Sequence, residues 1–175
     1  MLLIGQETVN AQKTLKVYIV RHAEKLTDDL KEKDSELSQE GSERALALAK
    51  KLKGQQIDSI FATSFKRAKL TGFPLADQIG IAMKTYNQAE TKALATELIE
   101  NAKGKNILIV CHSNTVLQMI EAFGGQKPVK QLTDNDYDYL FTLTMKGKKV
   151  NVKTGRYGKS HHSEEGAEKV MKMTN

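Results

Sequence analysis

Two short apolar runs each end on a histidine, and these two histidines are the residues best placed for chemistry. VYIVRHAE at residues 17–24 delivers Arg21 and His22, and ILIVCHSN at residues 107–114 delivers His112. Apolar, β-branched runs of this length read as buried strands of a parallel sheet. In open α/β sheets, ligands bind at the carboxyl ends of such strands. A third cationic position, Arg67, falls on the helix expected after another apolar run, Ile57 to Ala62. Two guanidiniums and two imidazoles at one sheet edge form a pocket for a doubly charged oxyanion, because the planar guanidinium fork donates two hydrogen bonds at once. A histidine in that pocket can attack phosphorus and carry the phosphoryl group. The remaining cations stabilise charge on the equatorial oxygens. Fixed cations already do this work, so the chemistry asks for no metal and no cofactor.

Each of these residues also has a plainer reading. A single strand-end histidine is more often a hydrogen-bonded structural residue than a catalyst; the pairing, with Arg21 directly before His22, is what favours an anion site. Cys111 adjoins His112 and is a candidate nucleophile, but it ends an apolar strand, where a buried unreactive thiol is the commoner outcome. A histidine metal site is disfavoured, since the arginines repel a cation and no carboxylate or thiol set has ligand spacing. The other two histidines, His161 and His162, lie in a polar C-terminal stretch and read as solvated.

The elements that must position these side chains alternate between short apolar runs and helical patterns, which implies βα units around a parallel sheet. The first strand is read over Leu15 to Val20. Residues 24–37 are polar, charged and without apolar period, and read as a loop over the site. Ser38 is a plausible N-cap for a helix whose apolar face is Ala45, Leu46, Leu48, Ala49 and Leu52, ending at Gly54. After the strand Ile57 to Ala62, Thr63 and Ser64 are expected to cap the helix carrying Arg67, with Gly72 and Pro74 kinking or dividing it. A weak strand near Ile81 to Thr85 leads to a helix over Ala89 to Ala102. The strand Ile107 to Val110 then leads to a helix expected to begin at Ser113, whose free N–H groups would face the same pocket. Tyr139 to Met145 and Val150 to Lys153 flank a glycine turn and read as a hairpin or edge strands.

The chain has 175 residues, 39% of them hydrophobic and 27% charged. That length supports one domain with a substantial core. One cysteine excludes an internal disulfide. The net charge of +6 is carried mainly by residues 127–175, with ten basic and six acidic residues, but the lysines are scattered and no nucleic-acid motif accompanies them. A solvated surface is the better reading, without nucleic acid as a partner. No segment approaches the roughly 20 apolar residues of a membrane span. Residues 1–14 read as a leader, 15–155 as the domain and 156–175 as a polar basic tail. Val9-Asn10-Ala11 before Gln12 is similar to a signal-peptide cleavage site. The location is therefore cytoplasmic, or exported and periplasmic if residues 1–11 are the end of a signal peptide.

Four blocks in order now resemble a known family. RHAE stands at residues 21–24, LSQEGSERALALAKKL at 37–52, SFKRAKLT at 64–71 and ILIVCHSNT at 107–115. Together they are similar to the histidine phosphatase superfamily, which includes the phosphoglycerate mutases and the small phosphohistidine phosphatases. The resemblance implies a three-layer α/β/α sandwich with a mostly parallel central sheet. It implies His22 as the nucleophile and Arg21, Arg67 and His112 as the phosphate-binding set. Ser64 and Asn114 match motif positions as further substrate contacts, with helix capping as the alternative for each. Glu90, in YNQAETKAL, is the nearest equivalent of the family's general acid by order along the chain; Glu24, Asp28 and Asp29 are the other candidates.

The function expected from this reading is a metal-independent phosphatase acting on a phosphorylated small molecule or a phosphoprotein through phospho-His22. A phosphoglycerate mutase-type phosphotransferase and a catalytically silent phosphate-binding domain are the alternatives.

Overall fold

A computed structural model describes residues 13–27 and 32–163. Ten elements follow one another: β1 (Leu15–Arg21), α1 (Gln39–Leu52), β2 (Ser59–Thr63), α2 (Lys66–Ile79), β3 (Met83–Tyr86), α3 (Thr91–Asn101), β4 (Asn106–Cys111), α4 (Val116–Ala122), β5 (Tyr139–Lys146) and β6 (Lys149–Arg156). They build a six-stranded sheet in the order β3-β2-β4-β1-β5-β6. The first four strands are parallel, and β5 and β6 run antiparallel at one side. The expected α/β sandwich with a mostly parallel sheet is what the chain forms.

The sheet is covered on both faces because its central strands are apolar on both. Along β1 and β4, Val17, Ile19, Ile107, Ile109 and Cys111 pack with Leu94 and Leu98 of α3 and Met119 and Ile120 of α4. The alternate residues Tyr18, Val20, Leu108 and Val110 pack with Leu48 and Leu52 of α1 and Ala68 and Leu75 of α2. Successive strand side chains point to opposite faces, so a continuous apolar run is what a doubly covered strand requires.

Several local expectations are corrected. Thr63 and Ser64 do not cap α2; its N-cap is Phe65, which makes no side-chain cap, and Asp34 Oδ1 instead accepts from Lys66 N at 2.7 Å. A residue distant in sequence thus satisfies the helix start. Helix α2 also runs unbroken through Gly72 and Pro74. Pro74 forfeits the bond to the Leu70 carbonyl, in a stretch beside exposed Leu70 and Phe73 where water is at hand. The last helix begins at Val116 rather than Ser113, because His112 O accepts from both Thr115 N and Val116 N in a tight turn. The hairpin is longer than expected and turns through Gly147 with φ 61°. Within the stretch read as a tail, Tyr157 is buried, and His161 and Ser163 are hydrogen-bonded to Asp138 and Asp136. The proposed leader remnant at residues 1–11 and the acid candidates Asp28 and Asp29 lie outside the described residues.

Candidate active site

Strands β1, β4 and β2 are neighbours, so their carboxyl ends abut, and this adjacency assembles the site. Arg21 pairs with Cys111 across β1 and β4, and His22 N donates to Cys111 O at 2.8 Å. That step brings the imidazoles of His22 and His112 to 5.1 Å between centroids, edge to face. Arg67, in the first turn of α2, reaches back so that its Nε donates to His22 Nε2 at 3.3 Å. The structure therefore brings together Arg21, His22, Arg67 and His112.

The tautomer of His22 follows from its partners. Its Nδ1 lies 2.8 Å from the carbonyl oxygen of Ala23, which can only accept. Nδ1 therefore carries the proton, and Nε2, facing Arg67, holds a lone pair. Burial, followed by the charges of Arg21, His112 and Arg67, lowers the His22 pKa to about 3, although the Ala23 contact opposes the shift. Burial and the same two arginines lower His112 to about 4. Both rings are neutral in the free protein near pH 7. His112 is further held by Thr63 Oγ1 at 2.8 Å from its Nε2, by Phe65 edge-on at 5.1 Å, and by Thr115 Oγ1, which accepts from its backbone N.

Arg21 is fixed by a loop that sequence reasoning did not single out. Its Nη1 donates to the carbonyls of Thr133, Asp134 and Asp136 at 2.8, 3.2 and 3.4 Å. Its Nη2 donates to the Tyr137 hydroxyl at 3.1 Å, and the guanidinium lies 3.9 Å from the centre of the Tyr137 ring. Arg21 Nε is buried without a partner among the described residues. The sequence signal for this loop was weak, since TDNDYDY at 133–139 reads as a turn.

Behind the site, Glu24 is buried against Arg44, whose Nε donates to both carboxylate oxygens at 2.8 Å. Burial favours the neutral acid, yet Arg44, with help from His161, outweighs it and holds the carboxyl below the usual glutamate range. Glu24 is therefore ionised and engaged, which removes it as a general acid. Its backbone carbonyl accepts from Ser38 N at 3.0 Å, and Ser38 caps α1 by accepting from Gly41 N. A Cβ on Gly41 would lie 2.0 Å from Glu24 O. The glycine lets helix α1 dock directly on the loop that carries His22.

Other candidates are placed elsewhere. Ser64 and Asn114 are exposed at the same sheet edge, with no described side-chain hydrogen bond. Glu90 is exposed in a 3₁₀ turn ahead of α3, with no described contact to the four central residues. Burial pushes the Cys111 thiol up to about 12, so it is a core side chain and not a nucleophile. His161 and His162 are half-buried and sit on Glu24 and Asp138, each at 2.7 Å. Glu24, Glu40 and His161 form the one close carboxylate–histidine group among the described residues, but Arg44 already neutralises Glu24 there.

Comparison with known proteins agrees with this fold. The family model of the histidine phosphatase superfamily (branch 1) matches residues 17–90. Residues 17–90 are thus similar to the histidine phosphatase superfamily. No curated protein matches the sequence. Among solved structures, the protein histidine phosphatase SixA in complex with tungstate aligns with a TM-score of 0.65 at 17% identity, covering 81% of this chain and 96% of that one. Mycobacterial glucosyl-3-phosphoglycerate phosphatase aligns at 0.62 with 13% identity, covering 85% and 100%. A further mycobacterial hydrolase aligns at 0.67 with 13% identity, covering 93% and 98%. At these identities the likeness is one of fold; with the family match, it supports a phosphatase-type enzyme in general. No helix among the described residues is long and apolar enough to cross a membrane.

Proposed function

We propose that this protein is a metal-independent phosphatase that hydrolyses a phosphomonoester or phosphoramidate through a phosphohistidine on His22. The observation that carries the reading is the state of His22. Nδ1–H is pinned on the Ala23 carbonyl, so Nε2 carries its lone pair without prior loss of a proton; that pair accepts from Arg67 Nε in the free protein and is released when a phosphoryl oxygen takes the donor. In the first step Nε2 bonds to phosphorus as the bond to the leaving group breaks. In the second, water attacks phosphorus, the N–P bond breaks with its electron pair returning to Nε2, and the proton lost by the water passes to solvent. Arg21, Arg67 and His112 bind the phosphoryl oxygens, and the otherwise unpartnered Arg21 Nε–H gains an acceptor when an oxyanion is present. His112, neutral when the site is empty, is positioned to take up a proton once a dianion arrives.

Protonation of the leaving group divides the substrates. A phosphoramidate nitrogen is basic enough to take its proton from solvent or from the substrate itself and leave as the neutral base. The oxygen of an alkyl phosphomonoester needs a placed acid, and Glu90 is the residue this reading assigns to supply it. Ser64 and Asn114, exposed at the rim, are assigned to the part of the substrate beyond the phosphoryl group. The test is phosphate release from p-nitrophenyl phosphate and from phosphohistidine in the presence of a chelator, comparing wild type with His22→Ala. Turnover in chelator that His22→Ala abolishes is expected. Activity surviving in His22→Ala sinks the assignment of the nucleophile, and phosphate binding without release from either compound favours a silent binding domain.

A further inference from the structure

After β6, residues 157–163 return to the site along a defined path. Gly158, at φ +69°, turns it closely over α1, where a Cβ would lie 3.2 Å from Arg44 Nη1. Tyr157 N donates to Asp138 O at 3.0 Å, and Tyr157 O accepts from Arg44 Nη1 at 3.1 Å. His161 is then bonded on three sides. Its carbonyl accepts from Tyr137 N at 3.0 Å, its N donates to Asp138 Oδ2 at 3.1 Å, and its ring Nδ1 lies 2.7 Å from Glu24 Oε1. Because that carboxylate is ionised, Nδ1–H is the donor. His162 Nδ1 reaches Asp138 Oδ2 at 2.7 Å, and Ser163 N donates to Asp136 Oδ1 at 2.9 Å.

The partners of this segment are the peptides that aim the phosphate-binding groups. Asp136 accepts from Thr133 N at 2.6 Å and from Thr133 Oγ1 at 2.8 Å, closing the turn whose three carbonyls cradle Arg21 Nη1. Tyr137 lies between His161, at 5.1 Å, and the guanidinium of Arg21. Glu24, the acceptor of His161, stands two residues after His22. One short segment therefore ties the backbone that follows His22 to the cradle that holds Arg21.

We propose that residues 157–163 are a positioning strap for the phosphate-binding site, with His161 the residue that couples the Glu24 side to the Arg21 cradle. The strap touches no reacting atom; it fixes the direction of the Arg21 guanidinium. This inference rests on the proposed role of Arg21 in holding the phosphoryl group. A planar donor fork gains its strength from direction as well as charge, so a guanidinium free to swing loses affinity for an oxyanion although its charge is intact.

The experiment is a double-mutant cycle on the full chain, reading inorganic phosphate binding by calorimetry. His161→Ala is expected to weaken phosphate about tenfold, the loss of one charge-assisted hydrogen bond acting through Arg21. In an Arg21→Ala background, the same substitution should change affinity less than about twofold, because the group it positions is gone. His161→Asn, which returns an N–H close to the Nδ1 position, should recover most of the affinity, and Ser163→Ala should give a smaller loss of the same kind. A second readout needs no ligand: the buried Arg21 Nε–H resonance should exchange faster in His161→Ala and stay unchanged in Lys153→Ala on exposed β6. Equal loss of affinity in both backgrounds would mean general loosening and overturn the proposal, as would an unchanged Arg21 resonance in His161→Ala. If wild type binds no phosphate, the phosphatase reading falls on its own, and the Arg21 resonance still decides the strap.

Discussion

The two site imidazoles should make the protein sensitive to mild acid, and the size of the effect follows from their surroundings. His22 and His112 are each about 5% exposed, and their folded pKa values lie near 3 and 4 against an ordinary 6.5. Below pH 6.5 the unfolded chain takes up protons on these residues while the native site does not. Stability is therefore full above that pH and falls as pH drops toward 4. Each imidazole costs about 1.4 kcal/mol per pH unit in that window, so moving to pH 5 costs roughly 2 kcal/mol per histidine and about 4 kcal/mol for the pair. The perturbation is His22→Asn with His112→Gln, which keeps hydrogen-bonding groups toward Ala23 O and Thr63 Oγ1 and removes both titrations. Urea denaturation at pH 7 and pH 5, without phosphate, measures the loss in each protein. His161, His162 and the buried carboxylates are common to both and cancel in the difference. The double variant should lose about 4 kcal/mol less than wild type between the two pH values. Equal losses in the two proteins would refute the claim that the site holds its histidines neutral by burial and by the neighbouring arginines.

Other outcomes follow from the same contacts. Gly41→Ala places a methyl against the Glu24 carbonyl and should destabilise the protein by about 1–3 kcal/mol, read as a lower urea midpoint. Glu24→Gln strands the buried Arg44 and should cost about 3–5 kcal/mol, while the companion Arg44→Met with Glu24→Gln should recover much of that loss. Thiol reagents should leave the native protein unlabelled and its phosphate binding intact, since Cys111 is fully buried with a raised pKa; rapid labelling at pH 7 would contradict this. Arg67→Ala should weaken inorganic phosphate by 10-fold or more, on the order of one charge-assisted pair; unchanged affinity in calorimetry would remove Arg67 from the site.

The parts of this structure visible in the sequence are those fixed by local pattern. Val17 to Val20 and Ile107 to Cys111 are apolar at every position, which demands a strand covered on both faces and puts His22 and His112 just beyond the two strand ends. Ser38 was visible as a helix start, but the reason for the glycine at 41, its approach to Glu24 O, needed the folded chain. What the sequence could not show depends on contacts across long separations. Asp34 satisfies α2 in place of Thr63 and Ser64, and the carbonyls of Thr133, Asp134 and Asp136 hold Arg21 from 112 to 115 residues away. His161 and His162 misread as solvated for the same reason: their neighbours in sequence are polar, but their partners are the buried carboxylates Glu24 and Asp138.

The central claim is that Nε2 of His22 carries the phosphoryl group during turnover. Acid-free rapid quenching of a reaction with p-nitrophenyl phosphate, followed by intact-mass and peptide mass spectrometry, tests it most directly. One phosphoryl group, labile in acid and stable in base, is predicted on the peptide containing His22, and none on the same peptide of His22→Ala. A phosphoryl group found on another residue, or none at any quench time despite steady phosphate release, would contradict the account.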